Sequence, residues 1–137
     1  MASRHRSRER ALQILYLEEI QGYSADGAPR GPDRTIPTED GQPAPGRDAF
    51  SEELVRGVAA NRARIDALIA EHSRNWRLER MSVVDRNLLR LAVYEMKYMG
   101  APMPVVVQEA VRLAERFSGE EAVPFVNGVL DAIGRSG

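Results

Sequence analysis

Apolar side chains recur along the chain at the three- to four-residue spacing of α-helices, and this pattern predicts five helical segments. The first covers residues 8–21, where apolar groups occupy most of the helix circumference and indicate neighbours on several sides. The second runs from Phe50 to His72, with Ser51 as its predicted N-cap and an apolar stripe that begins at Leu54.

Three further helices follow, each with local start or stop signals. One begins near Ser82, where Asp85 stands three residues later as in a capping box, and it ends before Gly100. The next covers residues 104–117 and the last begins near Pro124, because proline suits a first helical turn. No segment shows the two-residue alternation of a strand, so the predicted fold class is all-α, with helices packed around one core.

The stretch from 22 to 48 breaks the helical pattern. It holds five Gly and five Pro with few apolar groups, which predicts a flexible surface loop. Trp76 follows the second helix in a short connection and is predicted to anchor the core. The length of 137 residues predicts a single domain spanning 1–137.

The composition excludes several classes of protein. The chain has 43% hydrophobic residues and no cysteine, which fits a globular protein of a reducing compartment and rules out disulfides and thiolate metal sites. No apolar run approaches the roughly 18 to 20 residues of a membrane helix, and the N-terminus lacks the apolar block of a secretory signal. We therefore predict a cytoplasmic protein.

Residues that could carry catalysis are not grouped. His5 and His72 are the only histidines and lack metal-ligand spacing, and neither a glycine-rich phosphate loop nor a G-x-S-x-G motif is present. Adjacent acidic pairs such as Glu52 and Glu53 point in different directions on a helix and indicate solvated faces. The sequence therefore predicts no catalytic residue, no metal and no cofactor.

Positive charge is concentrated at the start of the chain. The net charge is −1, but the first ten residues contain four arginines and one acidic residue. In an extended arm Arg4, Arg6, Arg8 and Arg10 would lie on one side, whereas in a helix they would divide between two faces. We expect an arm that orders against RNA phosphates, with the helix beginning near Ser7; a frayed, soluble terminus is the alternative.

Four segments of the chain carry a family signature. They are the basic start at 4–16, VDRNLLRLAVYEM at 84–96, PVVVQEAVRLAERFSGEE at 104–121 and FVNGVLD at 125–131. Together, and in this order, they resemble the NusB antitermination family. FVNGVLD with the upstream EAVRLA is the specific part, whereas Gln108 stands where the family usually has Asn.

The resemblance implies a compact bundle of about seven helices in two packed sub-bundles. It also implies a transcription antitermination factor, not an enzyme, that binds single-stranded boxA RNA of ribosomal RNA operons. The implied partner is NusE, a small-subunit ribosomal protein, and the assembly would help RNA polymerase to resist termination.

The RNA-contacting positions of the family map onto the basic start and the FVNG motif. Phe125 lies at the edge of an apolar stripe, where its ring could stack on a base; a peripheral core position is the alternative. We expect Gly128 to permit close helix approach and Asn127 to hydrogen-bond across helices. His5 replaces a commonly basic position, so its phosphate contact is expected to be weaker at neutral pH. The implied RNA-binding residues are Arg4, His5, Arg6, Arg8, Arg10 and Phe125.

The partner-binding positions of the family map onto three separate segments. Each has a structural alternative, because an aromatic residue can belong to the core, an acidic residue can cap a helix, and charged residues can simply be solvated. The implied partner-binding residues are Tyr16, Asp85, Arg86 and Glu121.

Two other functions remain open at this point. Some ribosomal RNA cytosine methyltransferases have a NusB-like RNA-binding domain before their catalytic domain, but a chain ending at Gly137 is expected to leave no room for one. The second alternative is a structural helical protein that forms a homodimer without binding RNA. The sequence does not decide between a monomer and a homodimer.

Overall fold

The computed structural model describes residues 3–21, 48–73 and 77–136, and within these ranges the chain is all-helical, as predicted. These ranges contain six α-helices, where the family resemblance implied about seven, and two short 3₁₀ turns at Leu78–Arg80 and Glu120–Ala122. The α-helices are α1 (Arg4–Gln21), α2 (Ala49–Ala60), α3 (Arg62–His72), α4 (Val83–Lys97), α5 (Met103–Phe117) and α6 (Val123–Gly134).

The core is organised around α4, which packs against each of the other five α-helices. Every residue from Asn87 to Val93 is buried, and Glu95 is buried as well. A helix that is buried around its whole circumference needs neighbours on all sides. Of the other helices, α1 packs on α2 and α5 packs on α6, and α4 contacts both pairs.

The predicted helix from Phe50 to His72 is two helices in the structure. At Asn61 the backbone leaves the helical region, and both its N–H and its side-chain amide donate to the Gly57 carbonyl, at 3.1 and 2.9 Å. The N-cap of α2 is Asp48 rather than Ser51. Ser51 occupies the third helical position and completes a reciprocal capping box, in which its N–H donates to the Asp48 carboxylate at 2.8 Å.

The predicted ends of α4 and α5 are confirmed by their capping geometry. The Ser82 hydroxyl accepts a hydrogen bond from the Asp85 N–H at 3.0 Å and so begins α4. Gly100 has a φ of 67° and Gly119 a φ of 131°, which are conformations that residues with a Cβ rarely adopt. Glycine therefore ends both helices.

Two expectations fall outside the described residues. They are the core position of Trp76 and the loop at 22–48, of which only Asp48 is described. The single domain spanning 1–137 stays a prediction.

Two helical glycines differ in what surrounds them. Gly57 of α2 lies directly against the ring of Tyr94 on α4, and a Cβ at this position would overlap that ring. Gly128 of α6 is exposed, and a Cβ there would meet no atom within 4 Å. The prediction that Gly128 permits close helix approach is therefore wrong, and Gly57 is the glycine that allows α2 and α4 to meet.

We expect Gly57→Ala to lower the free energy of unfolding by about 1–3 kcal/mol, because the added methyl group forces Tyr94 out of its place. Gly128→Ala is the matched control. It should raise the free energy of unfolding by about 0.5–1 kcal/mol, because it removes backbone entropy from the unfolded chain without a clash. Urea denaturation followed by circular dichroism measures both values. Equal effects of the two substitutions would contradict the importance of the Tyr94 contact.

Candidate nucleic-acid interface

The basic start of the chain is helical, not an extended arm. Helix α1 begins at Arg4, and the Ser3 hydroxyl accepts a hydrogen bond from the Arg6 N–H at 3.2 Å. The predicted helix start near Ser7 is therefore wrong by one turn. The helical geometry puts Arg4 and Arg8 on one face and sends Arg6 elsewhere.

The Arg8 guanidinium is buried in a cluster of carboxylates. Its Nε and Nη2 donate to the two oxygens of Glu95 on α4, at 2.7 and 2.8 Å, and its Nη1 donates to Glu109 on α5 at 3.2 Å. Arg8 and Arg10 are each only 7% exposed. The prediction that all four arginines are accessible to RNA is therefore wrong for these two, because α1 is buried around its circumference from Ser7 to Leu15.

His5 joins the same cluster from the first turn of α1. Its Nδ1 lies 2.8 Å from a Glu109 oxygen, and its Nε2 lies 3.0 Å from a carboxylate oxygen of the buried Glu9. His5 thus fastens the start of α1 to α5, a role different from the phosphate contact that the family resemblance implied.

The accessible arginines of the basic start lie in the first turn of α1. Arg4 is exposed, and its guanidinium carbon lies 4.5 Å from the ring centre of Phe50 at the start of α2. Arg6 is half-exposed. We call Arg4, His5, Arg6 and Phe50 the N-terminal tip. Sequence reasoning missed Phe50, which gives the Arg4 guanidinium a stacking partner.

The FVNG motif lies in the first two turns of α6. Phe125 is half-buried and packs against the core, which is compatible with an exposed ring edge. Asn127 is exposed, so the hydrogen bond that we expected it to make across helices is absent among the described residues. Asn127 and Gly128 instead form part of the outer face of α6.

The predicted partner-binding residues gather in part at the other end of α1. Tyr16 is 38% exposed and Ile20 is 54% exposed, and their spacing of four puts them on one face. Asp85 lies in the first turn of α4, next in sequence to Arg86, whose guanidinium donates to the carboxylate of Glu19 on α1. Glu121 is exposed on a separate 3₁₀ turn before α6.

The Glu19 carboxylate on α1 accepts hydrogen bonds from the arginines of α4 and so joins the two helices. One of its oxygens accepts from Arg86 Nε at 2.6 Å, and the other accepts from Asn87 and Arg90, each at 3.1 Å. Burial raises the pKa of the Glu19 carboxyl, but these hydrogen bonds and the charges of Arg86 and Arg90 outweigh burial and hold the pKa below its usual value. The carboxylate is therefore charged at neutral pH, and the Arg86 guanidinium is engaged within the chain.

The part of the chain that the structure describes holds neither a metal-binding cluster nor a membrane-spanning helix. No group of three or more His, Asp or Glu side chains among them could hold a metal ion. None of the described helices combines the length and the apolar character that crossing a bilayer requires.

The helices and the tip define a class of all-α protein that presents a cationic helix terminus and, further along the same helix, an exposed apolar surface. The chain matches the NusB family over residues 5–135. It is 48% identical over 135 residues to the transcription antitermination protein NusB of Solibacter usitatus, covering 98% of this chain and 90% of that protein.

Two solved structures have the same fold. T. maritima NusB superimposes with a TM-score of 0.74 at 31% identity, covering 98% of this chain and 92% of that chain. A complex of the antitermination factors NusB and NusE with double-stranded RNA gives a TM-score of 0.76 at 26% identity, covering 98% and 97%. This chain belongs to the NusB family.

The Glu109 carboxylate of the Arg8 cluster makes stability depend on pH. Burial raises the pKa of the Glu109 carboxyl, but the hydrogen bond from His5 and the charges of His5, Arg8 and Arg112 hold it below its usual value. Because the pKa of the Glu109 carboxyl is lower in the folded chain than in the unfolded chain, its charge stabilises the fold fully at any pH above the unfolded-state pKa. This stabilisation is lost as the pH falls through the folded-state pKa.

We therefore expect Glu109→Gln to lower the free energy of unfolding by about 1–3 kcal/mol at pH 7, and by progressively less below about pH 4. Urea denaturation of both proteins at pH 7, 5, 4 and 3 measures the difference. Asp131→Asn removes a carboxylate whose pair with Arg135 is exposed, and should cost less than about 1 kcal/mol. A Glu109→Gln effect that stays constant from pH 7 to 3 would contradict the assignment.

Proposed function

We propose that this chain is a transcription antitermination factor that binds boxA-type single-stranded RNA of ribosomal RNA operons together with NusE. In this proposal it acts in the cytoplasm and catalyses no reaction. The observation that carries the proposal is the family match over residues 5–135. The likeness to a complex of NusB and NusE with double-stranded RNA supports RNA as the nucleic acid and NusE as the partner.

The N-terminal tip is the proposed RNA contact. Arg4 and Arg6 offer exposed or half-exposed guanidinium groups to phosphates, and the Arg4–Phe50 pair offers a flat surface for a base. Arg8 and Arg10 act as positioning residues in this proposal, because their side chains are buried. Phe125 remains a candidate for base stacking from α6.

The opposite end of α1 is the proposed NusE contact. Tyr16 and Ile20 provide exposed apolar area, and Asp85 and the Arg86–Glu19 pair provide charge beside it. Tyr16 lies about 18 Å along the helix from Arg4, so RNA and protein can bind at the same time. Glu121 remains a candidate partner contact on a separate surface. The mechanism is assembly: the factor holds RNA and NusE together and delivers both to RNA polymerase.

We expect the double substitution Arg4→Ala/Arg6→Ala to weaken binding of boxA RNA roughly tenfold and to reduce the slope of log affinity against log salt by about 1.4, because two phosphate contacts are lost. Fluorescence anisotropy with labelled boxA RNA and scrambled RNA, at several salt concentrations, measures both. NusE binding should be unchanged. Arg77→Ala/Arg80→Ala removes the same charge from exposed positions outside the tip and should have a smaller effect.

The same titration separates the proposed function from its alternatives. Added NusE should strengthen binding of boxA RNA and leave scrambled RNA weakly bound. Equal affinity for both RNAs, no effect of NusE and a stable dimer in sedimentation would instead favour a structural homodimer. If both double substitutions weaken boxA binding equally, the tip is not the RNA site.

We expect Tyr16→Ala to weaken NusE binding roughly tenfold or more, because exposed aromatic residues are frequent anchors of interfaces. RNA binding by the isolated protein should be unchanged. Calorimetric titration with NusE in the absence of RNA measures the affinity. Tyr98→Ala is a matched control, since Tyr98 is also 38% exposed but lies at the end of α4. An unchanged affinity of the Tyr16 variant would remove this surface from the interface.

A further inference from the structure

A groove of about 490 Å³ lies between α3 and the end of α4, away from the partner surface at Tyr16. Its volume is within the range of sites that hold one small ligand or one nucleotide. The residues that matter for its chemistry are Arg64 and Glu71 from α3 and Lys97 and Tyr98 from the end of α4.

Tyr98 is held in place from one side. Its ring stacks on the ring of Tyr94 with centroids 5.5 Å apart and an angle of 14° between the planes. Tyr94 is in turn seated against Gly57 of α2. Tyr98 lines the groove and is 38% exposed to solvent, so the stack holds it in place as a platform for a second aromatic group.

The two cations of the groove are available to a ligand. In the part of the chain that the structure describes, neither Arg64 nor Lys97 has an ion-pair partner. Arg62, two residues earlier on α3, lies within 4 Å of carboxylate oxygens of both Asp66 and Glu19. These two cations can pair with the phosphates of a nucleotide, and the neighbouring Tyr98 ring can stack on its base.

Glu71 gives the groove a hydrogen-bond acceptor among the cations. An ionised carboxylate accepts from the exocyclic amines of adenine, cytosine and guanine, and uracil has no such amine. The groove therefore favours an amine-bearing base over uracil.

The groove can be reached from the N-terminal tip along one face of α2. Phe50, which carries the Arg4 contact, and Gly57, which carries the Tyr94 contact, are seven residues apart and share that face, about 10 Å along the helix. Glu53 lies between them, exposed and close enough to help raise the pKa of the Tyr94 hydroxyl, although burial of that hydroxyl is the larger cause. From Gly57 the path continues over Tyr94 to Tyr98, whose ring centroids lie 5.5 Å apart, and a few unstacked nucleotides can span these steps.

We propose that this groove is a second contact site for single-stranded RNA, in which a base stacks on Tyr98 and its flanking phosphates pair with Arg64 and Lys97. The site takes nucleotides that flank the core element held at the tip, so the inference rests on the proposed function. Glu71 favours an amine-bearing base, which is adenine, cytosine or guanine, over uracil at this position.

The test compares a core boxA RNA with the same RNA extended at either end by six adenosines, six cytidines or six uridines. Anisotropy titrations with the full chain should show tighter binding of one adenosine- or cytidine-extended RNA than of the core, and a smaller gain for uridine. Tyr98→Ala and Arg64→Gln/Lys97→Gln should each remove the gain, a loss of roughly tenfold, and leave core binding unchanged. Tyr98→Phe should keep the gain because it keeps the ring.

Two further variants control for charge and for folding. Arg77→Gln/Arg80→Gln makes the same change of net charge outside the groove and should keep the gain. Glu53→Gln removes an acidic group from the path between the two sites and should strengthen binding of the extended RNA alone, an effect that loss of folding would not produce.

Several outcomes would overturn the proposal. In the first, the extended RNAs bind the unmodified protein no more tightly than the core RNA does. In the second, the groove variants weaken binding of core and extended RNA equally. In the third, the groove variants weaken NusE binding and keep the affinity gained from the extension. Failure of the proposed function is distinguishable, because it would appear as equal binding of core boxA and scrambled RNA regardless of extension.

Discussion

The buried contact of Arg8 with Glu95 and Glu109 is the interaction on which the rest of the structure depends. It joins α1 to α4 and α5, although Glu95 lies 87 residues and Glu109 lies 101 residues from Arg8 in the sequence. Removing charges from water is costly, so the cluster is stable only when every partner is in place. Two arginines of the basic start, Arg8 and Arg10, are therefore buried, and this fixes the positions of Arg4 and Arg6.

A second group of ions fastens the other end of the same helix. Glu19 accepts hydrogen bonds from Arg86, Asn87 and Arg90 near the start of α4. Arg8 donates to Glu95 near the end of α4. Helices α1 and α4 therefore run antiparallel and are joined at both ends. The tip and the Tyr16 surface are then parts of one helix with a defined placement.

The sequence predicted what local signals determine. The all-α class follows from apolar spacing, and the ends of α4 follow from Ser82 and Gly100, which act on their own neighbours. The burial of Arg8 could not be predicted this way, because its partner Glu95 lies 87 residues away. One signal was present: Glu95 continues a row of apolar residues on α4, and a carboxylate in such a row requires a buried cation.

The same reasoning explains how a chain with a net charge of −1 can offer a cationic surface. Formal charge counts Arg8 and Arg90 equally with Arg4, yet the first two are enclosed with carboxylates and contribute little field outside. The carboxylates nearest the tip are also engaged, since Glu9 and Glu109 both face His5. What a phosphate meets at the end of α1 is decided by the charges left after internal pairing, so the overall balance of 19 basic and 20 acidic residues does not argue against RNA binding.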